Sequence, residues 1–303
     1  MTGFAKFYSY LKALTIPTLL APLPPFILGN VIAWHQTGAF ALPPFLLSLL
    51  FCFSLHWGFN ALNDSLKPPP SLKSSELSFI RPFTGGEGFI QKGVLSQQES
   101  YRLALLCFGI SLMATLGLFT ICGGGFLGIS GCGYLLAYSY RTPLFRGAHR
   151  GLGEPTIGFL YGFIPLLAGH YGQAHQFLPE VFWIGGGLLP FVIATQYLNE
   201  FPEAESDQAL GIRTWVVQLG KARAARLFRW FFWFGYNWIA LGIVVGIIPR
   251  WAFLTFLMAP FSIKAVRGTQ NHFFETHPLI PVNNQVVKIY FTTALLFIIS
   301  YLI

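Results

Sequence analysis

The chain has 303 residues, 54% of them hydrophobic and 17% aromatic, with only 10% charged and a mean hydropathy of +0.57. Soluble domains carry about 25% charged residues, so this composition excludes an ordinary soluble globular fold. The formal charge of +8 comes from basic residues at the ends of apolar runs, not from one patch, which argues against a nucleic-acid partner.

Crossing about 30 Å of hydrocarbon takes about 20 apolar residues. Such runs fall at about 13–34, 41–63, 100–120, 122–140, 153–172, 178–200, 226–247, 250–267 and 283–303. They predict an all-α integral membrane protein of about nine transmembrane helices. Pro17, Pro22, Pro24 and Pro25 predict a kink in the first. No convincing cleavage site follows that run, so it reads as a span and not as a signal peptide.

Lys and Arg fill alternate gaps. Lys6 and Lys12 precede the first run; Lys67, Lys73, Arg81, Lys92 and Arg102 lie in the second gap; Arg141, Arg146 and Arg150 in the fourth; Arg213, Lys221, Arg223, Arg226 and Arg229 in the sixth. Arg250 is the exception in the odd gaps. The positive-inside bias then puts the N-terminus and the long polar loops, about 64–99 and 201–225, in the cytoplasm, and the chain in the plasma (inner) membrane with its active face cytoplasmic. The four cysteines lie within apolar runs without CxxC spacing and read as small hydrophobes.

Both long loops follow the second helix of a four-helix set. The layout predicts one domain, 1–303, of two pseudo-repeats (about 13–140 and 153–267) plus a final helix, with the substrate site between the halves.

The chemistry concentrates at three places. The sixth run ends in Asn199, Glu200, Glu203 and Asp207. Residues four apart share a helix face, so Glu203 and Asp207 present two carboxylates together, suited to Mg²⁺ and its phosphate ligands; a solvated acidic helix end is the plainer alternative. Arg213 follows, placed to neutralise a leaving group or to anchor the membrane edge. Between the fourth and fifth runs, Tyr138, Arg141, Arg146 and Arg150 in a Gly-containing turn suit an anionic or aromatic ligand. His56 reads as a satisfied interior histidine and Gln196 as a candidate acceptor contact. His170 and His175 lie on the external side.

Together, the block 199–220, the RGLGE at 150–154 and the RPFTGGEGFIQKGVLS at 81–96 resemble the UbiA superfamily of intramembrane aromatic prenyltransferases. The last two look like its menaquinone-pathway branch, which prenylates 1,4-dihydroxy-2-naphthoate. The resemblance implies nine helices in a ring around a cavity, under a cytoplasmic cap. It also implies two Asp-rich motifs that hold Mg²⁺ on a polyprenyl diphosphate, whose prenyl group passes to an aromatic acceptor. The second motif carries over as Glu203 and Asp207, with Asn199 before them. The first departs from the pattern: Asn63 and Asp64 are present, with Asn60 one turn earlier, but Lys67 stands where an Asp is expected. Two catalytic arrangements stay open, one metal with Lys67 on the diphosphate, or Asn60, Asn63 and Asp64 in an altered geometry. A non-catalytic lipid- or quinone-binding homologue is the third possibility. A transporter is disfavoured because the polar residues cluster at one face, leaving the other half of each helix apolar.

Overall fold

The computed structural model describes residues 20–66, 90 and 95–303. Every regular element among them is helical. In chain order, α1 is Leu23–Thr37, α2 Leu42–Ser65, α3 Gln97–Cys122 and α4 Gly125–Ser139. A 3₁₀ turn, Gly147–Arg150, leads into α5, which runs unbroken over 153–174 through a π-helical turn at Phe159–Phe163. Next come α6 (Pro179–Ala209), the short α7 (Trp215–Leu219) and α8 (Lys221–Leu227), and α9 (Arg229–Val244). A 3₁₀ stretch, Arg250–Met258, precedes α10 (Ala259–His272) and α11 (Thr276–Leu302).

Four of these helices, α2, α3, α6 and α11, are long and apolar enough to cross a membrane. Large apolar side chains such as Leu105, Leu106 and Met113 on α3 are exposed, as the lipid-facing wall of a membrane protein requires. The first run is interrupted at its prolines, a turn at 21 and 22 separating the helical Leu20 from α1. Pro22 is the N-cap of α1, and Pro24 and Pro25 follow in its first turn, where a missing N–H costs nothing; Pro17 lies outside the described residues. The start of α3 is closed by a capping box, Ser96 Oγ accepting from the Glu99 N–H at 3.1 Å and Glu99 Oε2 from the Ser96 N–H at 2.9 Å.

The tightest crossing is α1 on α5. A Cβ on Gly29 would strike the Leu166 carbonyl oxygen, and one on Gly169 the Phe26 carbonyl oxygen. Within a bilayer, helix association relies on such small-residue contact. Elsewhere α2 runs along α3, α6 along α9, and α11 against α1, α6, α10 and the 3₁₀ stretch.

The end expected to be apolar carries a polar network. His170 Nε2 meets Gln36 Oε1 at 2.9 Å, Gln36 Nε2 donates to Glu180 Oε2 at 2.6 Å, and the Tyr301 hydroxyl donates to Glu180 Oε1. These groups satisfy one another and tie α1, α5, α6 and α11 together at the end opposite the acidic motif.

Candidate active site

Helix α6 outlasts its apolar run. It continues to Ala209 with Pro190 and Pro202 inside it, so Glu203 and Asp207 do lie one turn apart on one unbroken helix. Gly211, at φ 70°, ends it: the Ile212 N–H returns to the Asp207 carbonyl at 2.8 Å and the Gly211 N–H to Gln208 at 3.1 Å. Asp207 is buried and Glu203 half-buried.

The ends of α2, α4 and α6 and the start of α5 meet around Tyr140, the residue after α4. Its buried ring stands edge-on to Phe59 of α2, 5.1 Å between centroids. Its phenol lies in the field of Arg141 and of the Glu200, Asp207 and Glu154 carboxyls. Glu154 and Glu200 are among the most deeply buried side chains, 0% and 2% exposed, and their carboxyls are hydrogen-bonded to each other, which takes one shared proton. Gln196 is hydrogen-bonded to Glu200. Asn199 Oδ1 accepts from Asn283 Nδ2 on α11.

On the α2 side, Asn60 Oδ1 accepts from the Tyr161 hydroxyl at 2.8 Å. The π-helical turn that carries Tyr161 also offers the Leu160 carbonyl to His56 Nε2 at 2.8 Å, while His56 Nδ1 meets the Cys52 carbonyl at 2.6 Å. His56 is the interior histidine the sequence predicts, its one N–H when neutral donating to one of these two carbonyls. Asp64 lies close enough to act on the Tyr161 phenol, and Asn63 Oδ1 is buried without a partner. Lys67 lies outside the described residues.

The cationic side is the 141–150 turn. Arg141 is half-buried, its guanidinium 6.0 Å from the Tyr140 ring centroid and its Nε without a partner. Arg146 (φ 50°) and Arg150 are exposed at the rim. His149 sits between them, half-buried; burial pushes its pKa below the usual imidazole value, and Arg141 and Arg146 push it the same way. Arg213 joins this turn through its backbone, its N–H donating to the Ala148 carbonyl at 3.2 Å.

Around Tyr140 the structure brings Arg141, Glu154, Glu200 and Asp207, with Gln196 bonded to Glu200; Asn60 and Asp64 meet Tyr161, Asn199 pairs with Asn283, Glu203 lies one turn before Asp207 on α6, and Arg146, Arg150 and Arg213 are exposed in the two adjoining turns. The structure does not bring Tyr138 there. That side chain is 50% exposed and packs edge-on against Phe145; residues two apart on a helix face opposite ways, and Tyr140 takes the inner place. Sequence reasoning also passed over Glu154, Glu200, Tyr161 and Asn283. The only signals for the two acids were their positions, at the end of RGLGE and beside Asn199.

The donor set fits a divalent metal that also binds phosphate. Glu203 and Asp207 supply carboxylate oxygens from one helix face. Mg²⁺ ordinarily takes one or two carboxylates and completes its shell with water and phosphate. Among the described residues no cluster of three or more His, Cys, Asp or Glu could hold a metal by itself, so phosphate oxygens would be needed.

Residues 84–272, more than half of the chain, match the model of the UbiA prenyltransferase family. The chain belongs to the UbiA prenyltransferase family. The match begins beyond Asn60–Lys67, the stretch where the first motif departs from the family pattern. Over 96% of this chain and 94% of the relative, 27% of residues are identical to the 1,4-dihydroxy-2-naphthoate octaprenyltransferase of Escherichia coli (strain K12). The solved structure of a digeranylgeranylglyceryl phosphate synthase superposes with a TM-score of 0.63 at 17% identity, covering 98% of both chains. A UbiA homologue from Archaeoglobus fulgidus bound to GPP and Mg²⁺ gives 0.52 at 16% identity, covering 95% of this chain and 99% of that one. This UbiA chain is therefore a membrane-embedded prenyltransferase.

Proposed function

We propose that this enzyme transfers a polyprenyl group from a polyprenyl diphosphate to 1,4-dihydroxy-2-naphthoate in menaquinone biosynthesis, at the cytoplasmic face of the plasma (inner) membrane. The observation that carries the reading is the meeting of Arg141 with Glu154, Glu200 and Asp207 around Tyr140, with the Arg213 backbone bonded to the 147–150 turn beside them. The naphthoate acceptor rests on the Escherichia coli relative. A ring of nine membrane-crossing segments, two four-helix halves plus a final helix, is part of the proposal.

Glu203 and Asp207 would hold Mg²⁺, which would supply positive charge to the diphosphate; a UbiA homologue from Archaeoglobus fulgidus was solved bound to GPP and Mg²⁺. Arg141, Arg146, Arg150 and Arg213 hold the diphosphate from the other side. Preorganised cations favour the state in which the C–O bond breaks and its electron pair leaves with diphosphate. Tyr140 and Tyr161 place aromatic faces where an allylic cation forms, which favours positive charge through the ring quadrupole. Gln196 and the Asn199–Asn283 pair orient the acceptor. A ring carbon of the acceptor bonds to the cation, and its carboxylate leaves as CO₂. Asn60, Asn63, Asp64 and Lys67 form the remaining wall, Lys67 contacting the diphosphate in place of a family carboxylate.

The test is prenyl transfer in lipid vesicles, offering dihydroxynaphthoate and a polyprenyl diphosphate with and without Mg²⁺. Prenylated product that disappears with chelator is expected. No product beside an active family member would overturn the acceptor assignment, and Lys67→Asp in the same assay would report whether the first motif limits turnover.

A further inference from the structure

Two segments far apart in sequence, 148–154 and 213–218, are stitched together over the site. The Arg213 N–H donates to the Ala148 carbonyl at 3.2 Å, and the Trp215 indole N–H to the Gly151 carbonyl at 2.8 Å. Glu154 Oε1 accepts from the Trp215 backbone N–H. Gln218 Nε2 donates to the Arg213 carbonyl at 2.6 Å, and a Cβ on Gly151 would strike that Gln218 amide. Gly151 also needs its glycine freedom, at φ 78°.

Of these groups, Glu154 is the one whose presence packing does not explain. It is fully buried, and the groups that act on its carboxyl are the Trp215 backbone N–H, its own backbone and the Glu200 carboxyl, none of them a cation. An apolar residue would fill the volume at lower desolvation cost. One oxygen pairs with Glu200; the other is an acceptor for the first free N–H of α7. Thr214 Oγ1 caps the same helix at Val217, and Glu154 takes the Trp215 donor that this cap leaves open.

We propose that Glu154 is a positioning residue: by holding the Trp215 N–H it locks the 211–219 turn onto the 147–154 turn, and so fixes Arg213 beside Arg141 and Arg150. Four cations drawn together repel one another and spread unless their backbones are tied. Glu154 touches neither the diphosphate nor the acceptor in this scheme; it acts through Trp215. The inference rests on the prenyl-transfer reading for its kinetic consequence, whereas the tie itself is independent of that reading.

The test uses the full chain in lipid nanodiscs, with two readouts, amide hydrogen exchange over 211–219 and the KM values for geranylgeranyl diphosphate and for dihydroxynaphthoate. Glu154→Leu should speed exchange by about tenfold or more, as loss of a buried acceptor implies. It should raise KM for the diphosphate by a similar factor and leave KM for the acceptor within about twofold. Glu154→Gln keeps the carbonyl acceptor and should stay within about threefold of the unaltered enzyme on both readouts. Unchanged exchange in Glu154→Leu, or an equal loss in Glu154→Gln, would overturn the proposal. Should Glu154→Leu fail to fold, Glu154→Asp draws the carboxylate back by one methylene from the Trp215 N–H and must loosen the same segment; if it does not, the tie is refuted. Absence of prenyl transfer by the unaltered protein would sink the functional reading alone, because exchange still decides the tie.

Discussion

The α1–α5 crossing makes the sharpest quantitative prediction. In Gly29→Ala the new methyl would meet the Leu166 carbonyl and lie 2.8 Å from the His170 nitrogen; in Gly169→Ala it would meet the Phe26 carbonyl and lie 2.7 Å from Asn30 Nδ2. Close C···O approaches in proteins rest at about 3.3–3.6 Å, so the helices must part by roughly 1 Å. The obstacles are backbone atoms, which cannot rotate away, and the overpacking cost belongs near the upper end of about 1–3 kcal/mol. Alanine returns about 1 kcal/mol of helix propensity, leaving a net loss of about 2 kcal/mol for either change. The double variant should cost less than the sum, because one separation serves both methyls. Thermal unfolding in detergent should show the midpoint falling by several degrees, at about 2–4 °C per kcal/mol. Gly109→Ala, whose methyl meets nothing within 4 Å, is the control and should be neutral or stabilising. If Gly169→Ala melts with that control, the close crossing does not exist.

Asp207→Asn and Glu203→Gln should each lower Mg²⁺-dependent turnover by about 10²-fold or more while leaving the fold intact, measured by product formation against thermal midpoint. Tyr161→Phe removes the donor to Asn60 and should cost about threefold to tenfold in kcat/KM, the worth of one neutral hydrogen bond; Tyr138→Phe should change nothing. His149 gives a pH prediction. Its folded-state pKa is lowered, so its contribution to stability is fully present above the ordinary imidazole value of about 6.5. That contribution is lost as pH falls through the lowered folded value. Thermal midpoints at pH 7.5 and 5.5 should therefore converge in His149→Gln relative to the unaltered chain.

Hydropathy was enough to find the long helices because a span needs about 20 apolar residues, and four described helices meet that length. It located α3, α5 and α11 to within several residues, and the alternation of charge ordered the loops. It misjudged the polar ends. The acidic end of α6 scores as a loop by hydropathy, yet the helix persists to Ala209 because backbone hydrogen bonding does not depend on apolar side chains. The first-run prolines read as a kink, and the run is broken there, because a ring without an N–H suits only the first turn of the helix that follows it. The opposite end looked apolar because Gln36, His170, Glu180 and Tyr301 are each alone in their runs, and only the packing of four helices makes them a network.

The same limit explains the site. Glu203 and Asp207 were legible because their pairing is local, four residues apart on one helix. Tyr138 was preferred to Tyr140 because neither periodicity nor composition says which way a helix end faces. Glu154 and Trp215 are 61 residues apart, and no spacing rule links a carboxylate to a backbone N–H at that separation. What the fold adds is therefore the scaffold beneath the cations. Sequence shows arginines at four positions, but whether they form one anion site depends on backbone bonds from 213 to 148 and from 215 to 151 and 154. If those bonds hold the rim together, the loss of a family carboxylate at Lys67 can be tolerated, because the diphosphate is gripped by arginines whose spacing is set before it arrives.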